Sequence, residues 1–87
     1  MSCERVKEYL DNGWKLIDVR TQAEYNNGHI KEAELVEMTE VPNISEGRYL
    51  VYCHSGARSG SATAYLNSKG IEAINIGGVG QYIGCLN

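Results

Sequence analysis

Five consecutive residues, "YLVYC" at positions 49 to 53, limit the fold more than any other part of this 87-residue chain. They are apolar on both faces and rich in aromatic and β-branched types, the pattern of a strand buried from both sides. Such a strand needs helices above and below it, so the chain must wrap helical segments around a central parallel strand. The residues that follow supply one. Ala62, Tyr65 and Leu66 form an apolar stripe on the stretch from Ser59 to Lys69, and Gly70 is placed to close it.

The remaining segments alternate in the same way. Ser2 is placed to cap a first helix whose apolar positions Cys3, Val6, Tyr9 and Leu10 recur at helical spacing, with "DNG" at 11 to 13 as its stop. "KLIDV" (15 to 19) reads as a short strand. Thr21, followed three residues later by Glu24, is a capping-box pattern, so "TQAEYNNG" reads as a second short helix ending at Gly28. "AELVEM" (33 to 38) is ambiguous and is read as one short strand entering a loop with the sole proline, Pro42. "EAINI" (72 to 76) is a further strand, followed by "GGVGQYIG", a glycine-rich turn with one helical turn after it. This order predicts an α/β domain over 1–87, a small, mostly parallel sheet flanked by helices.

At this length the chain buries only about 60 to 65% of the surface its unfolded form exposes, which leaves room for one core. A net charge of −3 (8 basic against 11 acidic residues) weighs against an extended nucleic-acid or membrane footprint. "MSCERVKEYL" has no apolar run fit for a leader or a membrane span, so a cytoplasmic, monomeric protein is expected. The three cysteines, Cys3, Cys53 and Cys85, are odd in number, widely spaced and without a C-x-x-C pair. Neither a disulfide framework nor a zinc site is favoured, which fits a reducing compartment.

The junction after the central strand carries the chemistry. Cys53 falls at the carboxyl end of that strand and at the head of the next helix, where open α/β sheets place ligands. His54, Ser55, Gly56 and Ala57 are small or polar, so the backbone can curl into a nest of N–H groups, with a helix N-terminus behind it and Arg58 and Ser59 beside it. Such a nest attracts negative charge. A thiol of ordinary pKa, about 8.5, is roughly 3% ionised at pH 7, and a fall of about 2 units would make most of it thiolate. Cys53 could instead be an inert buried residue beside a tight turn, but the loop composition and Arg58 favour a nucleophile.

"YCHSGARS" closely resembles the active-site loop of single-domain rhodaneses, the sulfurtransferase family. "LIDVRTQAEYNNGHIKEA" (16 to 33) resembles that family's N-terminal signature, and "YLNSKGIEAINIGGVGQY" (65 to 82) its closing segment, with Tyr82 where a tryptophan is frequent. The resemblance implies that Cys53 takes a sulfane sulfur from thiosulfate or a persulfide and passes it to cyanide or a thiol, such as that of a thioredoxin-like protein. It implies no metal or organic cofactor. His54, Ser55, Gly56, Ala57, Arg58 and Ser59 would hold the small anionic donor, and Asp18 or Glu24 would orient Arg58. A carrier that hands sulfur to one protein partner without turnover is the alternative. Related phosphatases and arsenate reductases have five residues between cysteine and arginine, whereas four stand here. Lys31 and Glu32 replace the Pro-Gly that often follows Gly-His-Ile, and the stretch from Ala33 to the Cys53 strand is short.

Other features are read as structural. Gly78, Gly80 and Gly84 lack the spacing and the downstream strand of a dinucleotide turn. His29 is read as tying the exit of the second helix to nearby backbone. His54 either tunes the thiolate, meets substrate or faces solvent. Cys3 is read as core, Trp14 as packing, and Cys85 as an incidental thiol rather than a resolving partner for Cys53.

Overall fold

A computed structural model describes residues 1–86. Its elements follow the order α1 (Cys3–Asp11), β1 (Lys15–Asp18), α2 (Gln22–Asn26), β2 (Glu34–Leu35), β3 (Arg48–Cys53), α3 (Ala57–Ser68), β4 (Glu72–Gly78) and α4 (Ile83–Leu86). The four strands form one sheet in the order β2-β1-β3-β4. Every adjacent pair is parallel.

Local chemistry places the helices. Ser2 accepts the Arg5 N–H at the head of α1, and Thr21 and Glu24 close a reciprocal capping box at the head of α2. The "AELVEM" strand shrinks to two residues, and Met38–Asn43 forms a 3-10 helix instead, with Pro42 inside it and Val41 buried. Helix α3 begins two residues before Ser59 because Gly56, at φ +97°, takes the left-handed N-cap position that lets the chain turn straight off β3.

Alternation along β1 and β3 divides the core in two. Ile17, Val19, Tyr49, Val51 and Cys53 face Ala62 and Leu66 of α3, while Leu16, Leu50 and Tyr52 face Val6 of α1 and Tyr82 near the C-terminal end. Tyr65 departs from the expected stripe: it lies on the exposed flank of α3 under the Lys69 ammonium, while Ala62 and Leu66 alone go inward. Spacing of four keeps those two on one face, and Tyr65 is rotated off it.

The cysteine expectation needs correcting. Cys3 and Cys85 are joined as a disulfide that ties α1 to α4, with Cα atoms 6.4 Å apart, inside the usual range for such a bridge. Cys3 is therefore not a plain core thiol, and the compartment argument built on unpaired cysteines loses its footing. No helix among the described residues is long and apolar enough to cross a membrane.

Candidate active site

The strand order reverses between β1 and β3: the chain adds β2 on one side of β1, then crosses back to add β3 and β4 on the other. Open α/β sheets bind ligands in the crevice outside the carboxyl ends of such strands. Here β1 delivers Asp18, Val19 and Arg20 to that crevice, and β3 delivers Cys53 and His54.

Cys53 is fully buried, and its Sγ sits inside the loop that follows it. The Gly56 N–H donates to Sγ at 3.1 Å, the Ser59 N–H at 3.5 Å, and the Ser59 hydroxyl lies at 3.4 Å. Burial alone would push the thiol up. Hydrogen bonds from the Ser59 hydroxyl and from the N–H groups of Ser59, Gly56 and Ser55 outweigh it and bring the thiol down to about 7. About half of the sulfur is then thiolate at neutral pH. The first turn of α3 points the positive end of its dipole at the same atom.

The loop divides its residues between two faces. Ser55, Gly56 and Ser59 turn N–H donors inward to sulfur, whereas the side chains of His54, Ser55 and Ala57 are exposed on the outside. Gly56 is held by its φ of +97°, since a Cβ there would only touch the Gly77 Cα at 3.4 Å. Gly78 has no room for a Cβ against the His54 carbonyl and Gly77 takes a φ of +102°, which is why two glycines close β4 beneath the loop.

Arg58 does not stand free. Its Nη1 donates to Glu24 Oε1 at 2.7 Å and its Nη2 to Oε2 at 2.9 Å. Arg58, then the Thr21 N–H, hold the Glu24 carboxyl far below the usual carboxylate range. Of the two carboxylates that sequence offered as partners, Glu24 is the one. Asp18 is buried and instead binds Arg20, through Nε at 2.9 and 3.0 Å and Nη2 at 2.7 Å. Arg20 continues to the Gly28 carbonyl at 2.7 Å, so the exit of α2 is anchored to the end of β1.

Two clefts flank the Arg58–Glu24 pair. One of 360 Å³ is lined by Arg20, Glu24, Asn27, Gly28, His54, Val79 and Ile83. The other, of 270 Å³, is lined by Val19, Arg20, Thr21, Glu37, Met38, Thr39 and Arg58. His54 thus belongs to the mouth of the first cleft. His29 behaves as a structural residue, with Nδ1 2.8 Å from the Tyr25 carbonyl and its ring stacked on that of Tyr25. Trp14 packs edge-on against Tyr9 beneath the Arg48 guanidinium.

Sequence reasoning passed over Asn75 of β4. Its amide oxygen lies 2.7 Å from the Ser59 hydroxyl, and its amide nitrogen donates to the Gly56 carbonyl at 3.0 Å. A lone asparagine in an alternating strand gives no signal of this kind, because the contact depends on how β4 registers against the loop.

Together the crevice and the nested sulfur define an α/β domain built around one buried cysteine whose sulfur accepts hydrogen bonds from a short loop. The rhodanese-like domain family matches residues 2–83, and the chain belongs to that family. Thiosulfate sulfurtransferase 18 of Arabidopsis thaliana is 33% identical over 94 residues, covering 85% of this chain and 69% of its own length. Among solved structures, an Escherichia coli rhodanese with anions is 28% identical with a TM-score of 0.69, covering 77% of this chain and 88% of its own. The SSP1007 protein of Staphylococcus saprophyticus is 26% identical with a TM-score of 0.77, covering 100% and 96%. Sulfur transfer is thus the chemistry at the level of the family.

Proposed function

We propose that this protein moves a sulfane sulfur from thiosulfate or a persulfide, through a persulfide on Cys53, to cyanide or a thiol. The observation that carries this reading is the buried Cys53 Sγ held by the Gly56 and Ser59 N–H groups with its thiol brought down to about 7. The Cys53 thiolate attacks the outer sulfur of thiosulfate, the S–S bond to the sulfonate breaks, and sulfite leaves with the electron pair. The Cys53 persulfide anion then gives its terminal sulfur to cyanide, forming thiocyanate, or to a thiolate, forming a new persulfide. The thiolate is restored in either case. Neither half-reaction requires a metal or an organic cofactor. The N–H groups that favour the thiolate equally favour the persulfide anion, which lowers both barriers without rearrangement of the loop.

Four residues between Cys53 and Arg58 support sulfur over a tetrahedral oxyanion as the loop's occupant. The donors close on a single sulfur atom at hydrogen-bond distance, which disfavours phosphatase and arsenate reductase chemistry. Arg58, in the first turn of α3, flanks the loop, and His54 lines the adjoining cleft, from which an acceptor would approach.

A second reading, a carrier that exchanges sulfur only with a protein partner, is favoured by one observation. Glu24 already neutralises Arg58, so a small free anion must compete with a carboxylate for its grip.

Intact-mass spectrometry after thiosulfate, and then after cyanide, tests the proposal on the wild type and on Cys53→Ala. One added sulfur atom on the wild type alone, removed by cyanide with release of thiocyanate, is the expected result. Persulfide formation without repeated thiosulfate-to-cyanide turnover would identify the carrier. No loading from thiosulfate or a persulfide donor would overturn both readings.

A further inference from the structure

Ser59 has one hydroxyl proton and two neighbours that can accept it. Cys53 Sγ lies at 3.4 Å and Asn75 Oδ1 at 2.7 Å. The Asn75 amide is not free to turn: its nitrogen donates to the Gly56 carbonyl at 3.0 Å, and its oxygen also accepts the Gly77 N–H at 3.0 Å. A flipped amide would set oxygen against oxygen at Gly56 and N–H against N–H at Gly77. The acceptor face of Asn75 is therefore fixed toward Ser59. Gly60 leaves the space this requires, since a Cβ there would stand 3.3 Å from the Asn75 amide nitrogen.

We propose that Asn75 is a positioning residue for sulfur transfer: its amide oxygen competes with the Cys53 sulfur for the proton of Ser59. While the sulfur is protonated, Ser59 donates to Asn75 and its lone pairs face the thiol. When the sulfur becomes a thiolate or a persulfide anion, the hydroxyl rotates to donate to it and leaves Asn75. Only one hydroxyl torsion changes, and no bond to carbon or sulfur is broken. Asn75 thereby restrains the stabilisation that Ser59 gives the anion, which keeps the sulfur nucleophilic rather than locked as a stable anion. Among the described residues, the other charged or titratable groups at the loop are Arg58 with its partner Glu24, Asp18 with its partner Arg20, and His54 on the loop's exposed face.

The inference rests on Cys53 being the reactive sulfur, and its test reads that sulfur without using sulfur transfer. Alkylation of Cys53 by iodoacetamide is followed against pH, site by site by peptide mass, in the wild type, Asn75→Ala, Ser59→Ala and the double variant, with circular dichroism as the check on folding. Release of the Ser59 proton predicts that Asn75→Ala lowers the pH of half-maximal alkylation by about one unit, whereas Ser59→Ala raises it by a similar amount. In the Ser59→Ala background, Asn75→Ala should move it little. An asparagine that merely braced the loop would act in the opposite sense, because a loosened loop loses N–H donors to the thiolate. Asn75→Val, a strand-compatible side chain with no acceptor, should lower the midpoint as Asn75→Ala does, which supplies a second reading of the sign if the alanine variant does not fold. A midpoint unchanged or raised in whichever of Asn75→Ala and Asn75→Val folds, or shifted equally with and without Ser59, overturns the proposal. Loss of the sulfurtransferase reading would leave this titration unaffected, so the two can fail separately.

Discussion

Arg58 gives both ends of its guanidinium to Glu24, at 2.7 and 2.9 Å, across the opening between two clefts. The pair joins the first turn of α3 to the capping box of α2, so the residue expected to hold the donor is also the residue that locks the rim.

Glu24→Gln separates these roles. Glutamine still completes the capping box, and both partners of the ion pair are more than a third exposed or close to it, so the stability cost should stay below about 1 kcal/mol. Arg58 is then released for the donor. The KM for thiosulfate should fall by about threefold to tenfold, and Arg58→Ala should raise it by at least as much. Steady-state kinetics at fixed cyanide checks both, and an unchanged KM in Glu24→Gln would show that Arg58 does not meet the donor.

The pH dependence follows from Cys53. Its thiol is brought down to about 7 in the folded protein, below the ordinary value of about 8.5, so the reactive thiolate grows as pH rises through 7. The rate of sulfur loading should climb through that region and level off above it, provided the donor does not titrate there. Linkage has a definite sign: an acid whose folded pKa is depressed contributes stability present above its unfolded pKa and lost as pH falls through its folded one. Wild type should therefore gain about 2 kcal/mol relative to Cys53→Ala between pH 6 and pH 9. Urea unfolding of both proteins at the two pH values measures it.

Asp18 is buried with its charge balanced by Arg20. Asp18→Asn leaves that guanidinium buried without its counter-charge and should cost about 3 to 5 kcal/mol. Because Arg20 also holds the Gly28 carbonyl, the variant should loosen the exit of α2 and reduce activity even in the fraction that folds. Thermal unfolding together with hydrogen exchange over residues 26 to 30 distinguishes a local from a global effect.

The Cys3–Cys85 bridge closes a loop of 82 residues. In the chain-entropy account a loop of that size is worth roughly 4 to 5 kcal/mol. Reduction should lower the melting temperature clearly, and Cys85→Ser should melt where the reduced protein does. A melting curve unaffected by reductant would mean that the bridge does not hold in solution.

What the sequence made legible was local. Ser2, Thr21 and Glu24 announce two helix starts because capping is decided within four residues, and "YCHSGARS" announces the loop because strand, nest and helix head are contiguous. The misses are non-local. Cys85 and Cys3 stand 82 positions apart and meet only once the sheet brings both chain ends to one side. Asn75 reads as one residue of an alternating strand until β4 is registered on β3, where an irregularity between Val51 and Tyr52 carries its amide to the loop. Asp18 and Glu24 were both credible partners for Arg58, and burial of Asp18 against Arg20 decided between them. The "AELVEM" segment has too little alternation to fix its length, and Pro42 turns its sequel into a 3-10 helix.

An all-parallel sheet also governs how this domain comes into being. Parallel neighbours cannot be joined by a tight hairpin, and the central contact pairs Lys15 with Tyr49 and Asp18 with Tyr52 across a long intervening stretch of chain. Loop-closure entropy must be met before any of those contacts forms, which slows folding relative to helical domains of similar size. The donors to Cys53 are local, but Asn75, which holds the Ser59 hydroxyl and the Gly56 carbonyl, comes from β4, so the nest gains its full set of contacts only once β4 has paired with β3.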